Sequence, residues 1–353
     1  MTTDLTEFAL RLAPMRLRFG TPAAQAVAEE LAVLGSARAL LLSTPSQEPQ
    51  ARAFAAAVGS RIAGLHPGAR MHTPVEATDQ ALAAVQALEA DCLVALGGGS
   101  TIGLGKALAL RTDLPQIAVP TTYAGSEATA ILGQTENGRK TTLTDPKVQP
   151  EVIVYDPALV ATLPVALTVA SGLNAMAHAA EALYARDRNP LTAALALQGF
   201  EALYRGLPQV VADPSDLAAR GATQFGAFLC GLVLGQVGMS LHHKLCHTLG
   251  GRFNLPHAET HAVLLPHTLA YNAGAAGLAP LDSLLGGPAG RRLHAFADAL
   301  GAPLALRDLG LAEPDLDIAA DLATQNPYWN PRPVDRPALR ALLQRAWSGA
   351  APP

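Results

Sequence analysis

Between Ala23 and Asp156 the spacing of apolar positions changes period again and again. Ala23 to Leu34 recurs with helical spacing, whereas Ala39 to Ser43 is an unbroken apolar run of strand length. Helical spacing returns over Gln50 to Val58, Thr78 to Leu88 and Thr101 to Leu110. Strand-like runs stand between and after them at Arg61 to Leu65, Cys92 to Leu96, Gln116 to Val119 and Val152 to Tyr155. Strands that are apolar throughout, rather than alternating, belong to a parallel sheet covered by helices on both faces.

Past Leu163-Pro164 the pattern changes. Segments 167–185, 190–206, 215–249, 290–300 and 336–347 are rich in Ala and Leu, keep helical spacing and are separated by Pro, Gly or Asn; none reads as a strand. The fold class that follows is an α/β N-terminal domain, residues 1–160, with a doubly wound, mainly parallel sheet, then an all-α domain, residues 161–353. Gly274 to Gly290 reads as a loop and Ala350 to Pro353 as a frayed tail.

Composition narrows the function. The chain has 353 residues, a formal net charge of −4 and no basic run, so it offers a phosphate backbone or an anionic membrane surface nothing to bind. The apolar stretch Phe225 to Gly235 is closed by Gln224 and Gln236 well short of a spanning helix, and Met1 to Phe8 lacks the basic and apolar regions of a secretory signal. Cys92, Cys230 and Cys246 form no CxxC pair. These features together give the expectation of a cytoplasmic enzyme without disulfides or a cysteine zinc site.

The chemistry begins where the run Cys92 to Leu96 passes into Gly97-Gly98-Gly99-Ser100-Thr101 and a helix. Glycines at such a turn let backbone N–H groups approach an anion, and the helix N-terminus adds its dipole, so the loop is a candidate pyrophosphate cradle. It is neither GxGxxG, since Ile102 stands at the third Gly, nor a P-loop, since Ala107 follows Gly105-Lys106 where Ser or Thr would hold magnesium. A tight turn without a ligand is the plain alternative. Pro120 to Glu127, with Thr121, Thr122 and Ser126, follows the next strand directly, and two such loops at adjacent strand ends point to a shared nucleotide site rather than to two coincidental turns. Ser43-Thr44 stands where a carboxylate would bind the adenosine ribose and repel a 2′-phosphate, so NADPH is expected to bind as well as NADH.

Six of the ten histidines lie between 242 and 267. Asn174 and His178 are four apart, as are His243 and His247, so each pair shares a helix face; His257 follows after the turn Gly250 to Pro256. The expectation is that they converge in a cleft at the domain boundary. One histidine on a helix is usually surface or core, and it is the density that argues for a site. His257-Ala258-Glu259 lacks the PCxxC of zinc deaminases, and Ala258 breaks the HExxH of zinc proteases.

The order of these features resembles the iron-dependent (group III) alcohol dehydrogenases over nearly the whole chain, from Phe19-Gly20 to about Val334. The motifs are the glycine loop, Pro120-Thr-Thr-Tyr-Ala-Gly-Ser-Glu127, Asp156-Pro157, Ser171-Gly-Leu-Asn-Ala-Met-Ala-His178, Leu241-His-His-Lys-Leu-Cys-His247, Leu255-Pro-His-Ala-Glu-Thr-His261 and Asn326-Pro-Tyr-Trp-Asn-Pro331. The resemblance implies that Gly97, Gly98, Gly99 and Ser100 hold the pyrophosphate, that Thr121, Thr122 and Ser126 line the adenine and nicotinamide side, and that Lys140 lies near the nicotinamide ribose. It places the group's metal ligands on Asn174, His178, His243 and His257, its additional histidine on His247, and implies a homodimer.

Two departures matter. The group has Asp where this chain has Asn174, and Gly103 replaces the Asp of GGGSxxD. Without its anionic ligand the site is expected to work without metal, with zinc on three histidines as the open alternative. Within the group the motifs are similar to those of enzymes that reduce a C=C bond conjugated to a ketone in a small dicarboxylate. Hydride at the carbon β to that ketone leaves an enolate, which needs electrostatic stabilisation and a proton. We assign His243 and His247 to those roles, supported by His178 and His257. His242, Lys244, Tyr328 and Arg332 are candidates for the two carboxylates. The competing readings are a metal-dependent alcohol dehydrogenase or aldehyde reductase and a non-catalytic NADH-binding module.

Overall fold

The computed structural model describes residues 8–353 apart from positions 11, 13, 21, 137 and 138 and the side chains of Arg139 and Lys140. It divides into two compact units, Leu12–Leu163 and a body formed by Pro164–Pro353. The division falls after Leu163 rather than residue 160, because Ala161 and Leu163 stay hydrogen-bonded to Ala158 and Val160 of the first unit.

The first unit runs β1 (Arg16–Phe19), α1 (Ala23–Val33), β2 (Ala39–Leu42), α2 (Glu48–Val58), β3 (Ile62–His66), α3 (Val75–Ala87), β4 (Cys92–Gly97), α4 (Gly99–Thr112) and β5 (Gln116–Pro120). A hairpin of β6 (Ile131–Glu136) and β7 (Arg139–Thr144) follows, then β8 (Val152–Tyr155) and the short α5 (Pro157–Val160). Six strands make one all-parallel sheet in the order β1-β8-β5-β4-β2-β3. Every residue of β2, β4, β5 and β8 is buried, which is why these runs carry no polar alternation. Leu41, Val94 and Ile117 pack with Leu31 and Phe54 of α1 and α2 on one face. Leu40, Leu42 and Leu93 pack with Val85 and Leu108 of α3 and α4 on the other. The chain reverses its direction of travel across the sheet between β2 and β4, and at such a switch the carboxyl ends leave a crevice for a ligand.

The second unit contains α6 (Val165–Tyr184), α7 (Pro190–Ala212), α8 (Leu217–Leu234), α9 (Leu241–Phe253), α10 (His257–Tyr271), α11 (Ala279–Leu285), α12 (Ala289–Ala299), α13 (Asp315–Thr324) and α14 (Arg336–Ser348), with no strand among the described residues. Helix α6 is buried from Thr168 to Tyr184 without a break and forms the unit's centre. Gly199 and Gly226 let α7 and α8 approach backbone to backbone, since a Cβ at either would stand 3.0–3.1 Å from the other's carbonyl oxygen. Helix α8 is long and apolar enough to cross a membrane by composition, yet 67% of it is buried against its neighbours, as in a core helix.

Several expectations need correction. The first strand is β1, so Thr44 follows the second; Arg16 and Arg18 hid this strand by pairing with Glu29 and Glu30 of α1. The Thr-rich hairpin β6–β7 lacks the apolar runs that marked the other strands. Segment 215–249 is two helices, broken between Gly235 and Ser240. Gly250 and Gly251 are helical rather than a turn, and α9 ends on Asn254 in the left-handed conformation. Helix α10 escaped notice because it is buried nearly all round, which erases a one-sided stripe. Gly274 to Gly290 contains α11.

Candidate active site

In the first unit the loops after β2, β4 and β5 are joined by hydrogen bonds. Thr44 Oγ1 donates to Gln47 Oε1 (3.1 Å), Gln47 Nε2 donates to Thr121 Oγ1 (2.9 Å), and Thr121 N donates to the Gly97 carbonyl (3.0 Å). Thr44 and Thr121 are thus held beside the glycine loop. A Cβ at Gly98 would stand 2.7 Å from Thr122 Cγ2, so that position requires glycine. No carboxylate lies in this hydrogen-bond chain. A Cβ at Gly103 would meet Thr73 Oγ1 at 2.3 Å, so Thr73 fills the space that the group's Asp side chain would need. Lys140 lies on β7, with its side chain outside the described residues.

Lys106, set aside above as an imitation P-loop, turns inward from α4. Its Nζ donates to the carbonyls of Ser126 (2.7 Å), Thr129 (2.6 Å) and Ile131 (3.0 Å) and to Thr129 Oγ1 (3.0 Å). Only 2% of the residue is exposed. It ties the helix that follows the glycine loop to the segment that carries Ser126. Burial lowers the Lys106 pKa and raises that of Glu127, each charge opposing the other's shift.

In the second unit α6 presents Asn174, His178 and Glu181 on one buried face. Glu181 was missed, although its place one turn after His178 was the available signal. Helix α9 has no side-chain cap from Ser240; its open N-terminus donates instead to Glu181, from Ser240 N to Oε2 (2.9 Å) and His242 N to Oε1 (2.8 Å). His243 Nδ1 donates to Glu181 Oε2 at 2.7 Å, and His243 Nε2 lies 2.9 Å from His178 Nδ1. Burial pushes the Glu181 carboxyl up, but the hydrogen bond and charge of His243 outweigh it and hold the pKa at about 2. The result is an ionised carboxylate that fixes one nitrogen of His243 and leaves the other toward His178.

Around this core His261 stacks edge-on to His257, His243 and His178, with centroids 4.4, 5.1 and 6.1 Å away. The His247 ring is 6.1 Å from that of His243 and is exposed. Lys244 Nζ stands 5.5 Å from the Tyr328 ring centre, bringing those two together. Arg332 instead covers the Tyr271 ring at 4.2 Å and donates to its carbonyl. His242 needs correction as a carboxylate binder: both its ring nitrogens are engaged, Nδ1 on Thr268 Oγ1 (3.1 Å) and Nε2 on His261 Nδ1 (2.9 Å). His267 leaves the cluster for His294.

Burial lowers His242 to about 3, His267 to about 4 and His261 well below its ordinary value. The unfolded chain takes up protons at these residues below pH 6.5, and the folded chain does so only near pH 4 or lower. Stability is therefore fully present above pH 6.5 and declines as pH falls, by up to about 1.4 kcal/mol per unit for each histidine. Thermal unfolding between pH 8 and pH 5 is expected to show a plateau and then a falling Tm; a flat profile would contradict this.

Comparison with known proteins places the chain. Residues 14–157 match the model of the iron-containing alcohol dehydrogenases and 168–347 that of the C-terminal region of the Fe-containing alcohol dehydrogenase family. The chain belongs to the iron-containing alcohol dehydrogenase family. Within it, the chain is similar to the maleylacetate reductases of Rhizobium sp. (strain MTP-10005), 60% identical over 98% of this chain and 99% of that one, and of Burkholderia cepacia, 50% identical over 96% and 97%. The crystal structure of maleylacetate reductase from Agrobacterium tumefaciens superposes with a TM-score of 0.95 at 58% identity, covering 98% of this chain and all of that one.

Iron in the family's name stands against the expectation of a metal-free site, so the donor set is the test. At the four positions implied above there is no carboxylate: Asn174 offers a neutral amide whose buried Oδ1 has no protein partner, and His178 and His243 direct ring nitrogens at each other. Among the described residues the one group of three ligating side chains with donor atoms within 4.8 Å of one another is His242, Cys246 and His261, none of them in that set. Three imidazoles and an amide lack the carboxylate of the two-histidine, one-carboxylate set characteristic of iron(II) sites, so they fit iron(II) less well than the group's own ligands.

Proposed function

We infer that this enzyme reduces the C=C bond of maleylacetate to give 3-oxoadipate in the breakdown of aromatic compounds, with hydride from NADH or NADPH and without a metal. The observation that carries the reading is the Glu181–His243–His178 array in a chain 60% identical to a maleylacetate reductase. Hydride adds to the alkene carbon β to the ketone, and charge moves to the ketone oxygen as an enolate. His243 is held by Glu181 through Nδ1; when protonated, it presents Nε2–H to that oxygen in exchange for its contact with His178 Nδ1, and the fixed carboxylate stabilises the imidazolium. The exposed His247 exchanges protons with solvent and supplies the α carbon. Lys244 and Tyr328 suit one carboxylate.

The glycine loop and the Thr44–Gln47–Thr121 chain support dinucleotide binding, and the lack of an acid beside Thr44 supports use of either cofactor. The edge strand β1, with Leu17 and Phe19 38% and 39% exposed, supports a homodimer, and three free buried cysteines support a cytoplasmic setting. The test is cofactor oxidation by purified protein with maleylacetate, with and without a strong chelator. Rapid oxidation of NADH and NADPH that survives the chelator is expected. Activity lost on chelation and restored by iron or zinc would overturn the metal-free reading. Turnover of simple aldehydes alone would favour the alcohol dehydrogenase, and NADH binding with no turnover the non-catalytic module.

A further inference from the structure

His261 Nε2 is a buried polar atom without a protein partner, in a residue with no exposed surface. Native structures rarely leave such an atom unserved unless something else binds it. The ring lies among His178, His243 and His257, the side chains to which the reaction is assigned. Behind it runs a file of hydrogen bonds, from His261 Nδ1 to His242 Nε2, which Cys246 Sγ also approaches at 3.5 Å, and from His242 Nδ1 to Thr268 Oγ1.

A neutral imidazole has one N–H and one lone pair, so the rings in such a file share one polarity. If the Thr268 hydroxyl donates to His242 Nδ1, then His242 Nε2–H donates to His261 Nδ1, and His261 carries its proton on Nε2. The same hydroxyl has an alternative in the carbonyls of Leu264 (3.2 Å) and Leu265 (3.1 Å); it then accepts from His242, and His261 ends in a bare lone pair. Rotation of one hydroxyl thus decides whether the histidine cluster faces an additional donor or an additional acceptor. An anionic oxygen selects the donor, because a lone pair would repel it.

We propose that His261 is a further catalytic residue, donating one hydrogen bond from Nε2 to the substrate oxygen on which charge accumulates, with His242 and Thr268 as positioning residues that set its tautomer. No proton leaves His261 in this role; the bond strengthens as the oxygen gains charge. The proposal rests on the maleylacetate reading for the identity of that oxygen, and on the structure alone for the hydrogen-bond file.

Two kinds of variant test it. His261→Ala is expected to lower kcat about 10²–10³-fold, the loss typical of removing one oxyanion donor. His261→Gln, whose amide restores an N–H near Nε2, is expected to recover part of that loss, with NADH affinity unchanged in both. Thr268→Val removes the hydroxyl at constant shape and is expected to lower kcat about tenfold with little change in KM, and Thr268→Ser to restore it. Activity of His261→Ala within about threefold of the parent would overturn the proposal and leave an ordered water as the partner of Nε2. In parallel, ¹⁵N spectra of the histidine rings with a bound unreactive dicarboxylate read the tautomer independently of turnover. A proton on His261 Nε2 that moves to Nδ1 in Thr268→Val is expected; Nδ1 protonation in the parent protein overturns the proposal. If maleylacetate is not reduced at all, the functional reading fails and the spectra still decide the file.

Discussion

Replacing His243 with Ala is expected to reduce kcat by about 10²–10⁴-fold, the range for loss of a positioned acid or base. NADH affinity should change by no more than about twofold, because the loops proposed to hold the dinucleotide lie on a separate unit of the chain. The loss has two parts. The enolate oxygen forfeits its donor, and Glu181 keeps its charge with only the backbone N–H groups of Ser240 and His242 and the Tyr184 hydroxyl to satisfy it. Single-turnover kinetics at saturating NADH separate chemistry from binding. Unchanged turnover would remove His243 from the mechanism, and a large fall in NADH affinity would show a structural collapse instead.

Lys106→Met should be the most damaging change in the first unit, at about 3–5 kcal/mol of stability, since each buried acceptor left without a donor costs about 1–3 kcal/mol. Methionine matches the length of the lysine stem and donates nothing, so the carbonyls of Ser126, Thr129 and Ile131 lose their donor inside the protein. The segment holding Ser126 is then released from α4, and NADH affinity should fall with stability. Lys106→Arg is not expected to rescue, since a planar guanidinium cannot replace a compact ammonium at four converging oxygens. Chemical denaturation with a loss below about 1 kcal/mol would refute the assignment.

The main sheet was legible because β2, β4, β5 and β8 are buried on both faces and written as continuous apolar runs. What was lost has a physical pattern. Strand β1 is a surface edge that displays Arg16 and Arg18, and the β6–β7 hairpin is polar and threonine-rich, so neither carries the signal of a buried strand. At the site, spacing placed His178 and His243 on their helices, but it did not expose Glu181, because a carboxylate in a helix reads as surface until its partners are known. Lys106 failed for the same reason: its acceptors lie 20 to 25 residues downstream and are mostly backbone atoms, which a motif does not show. His242 shows the reverse, a residue chosen for its charge-binding chemistry whose two nitrogens are already engaged.

Glu181 stands at the open end of α9 and at Nδ1 of His243 with the same two oxygens. A chain drifting under selection therefore has no route by which to trade foldedness against turnover at this position. Any substitution that unseats the histidine also frays the helix that carries it, so each selective pressure guards the residue on behalf of the other.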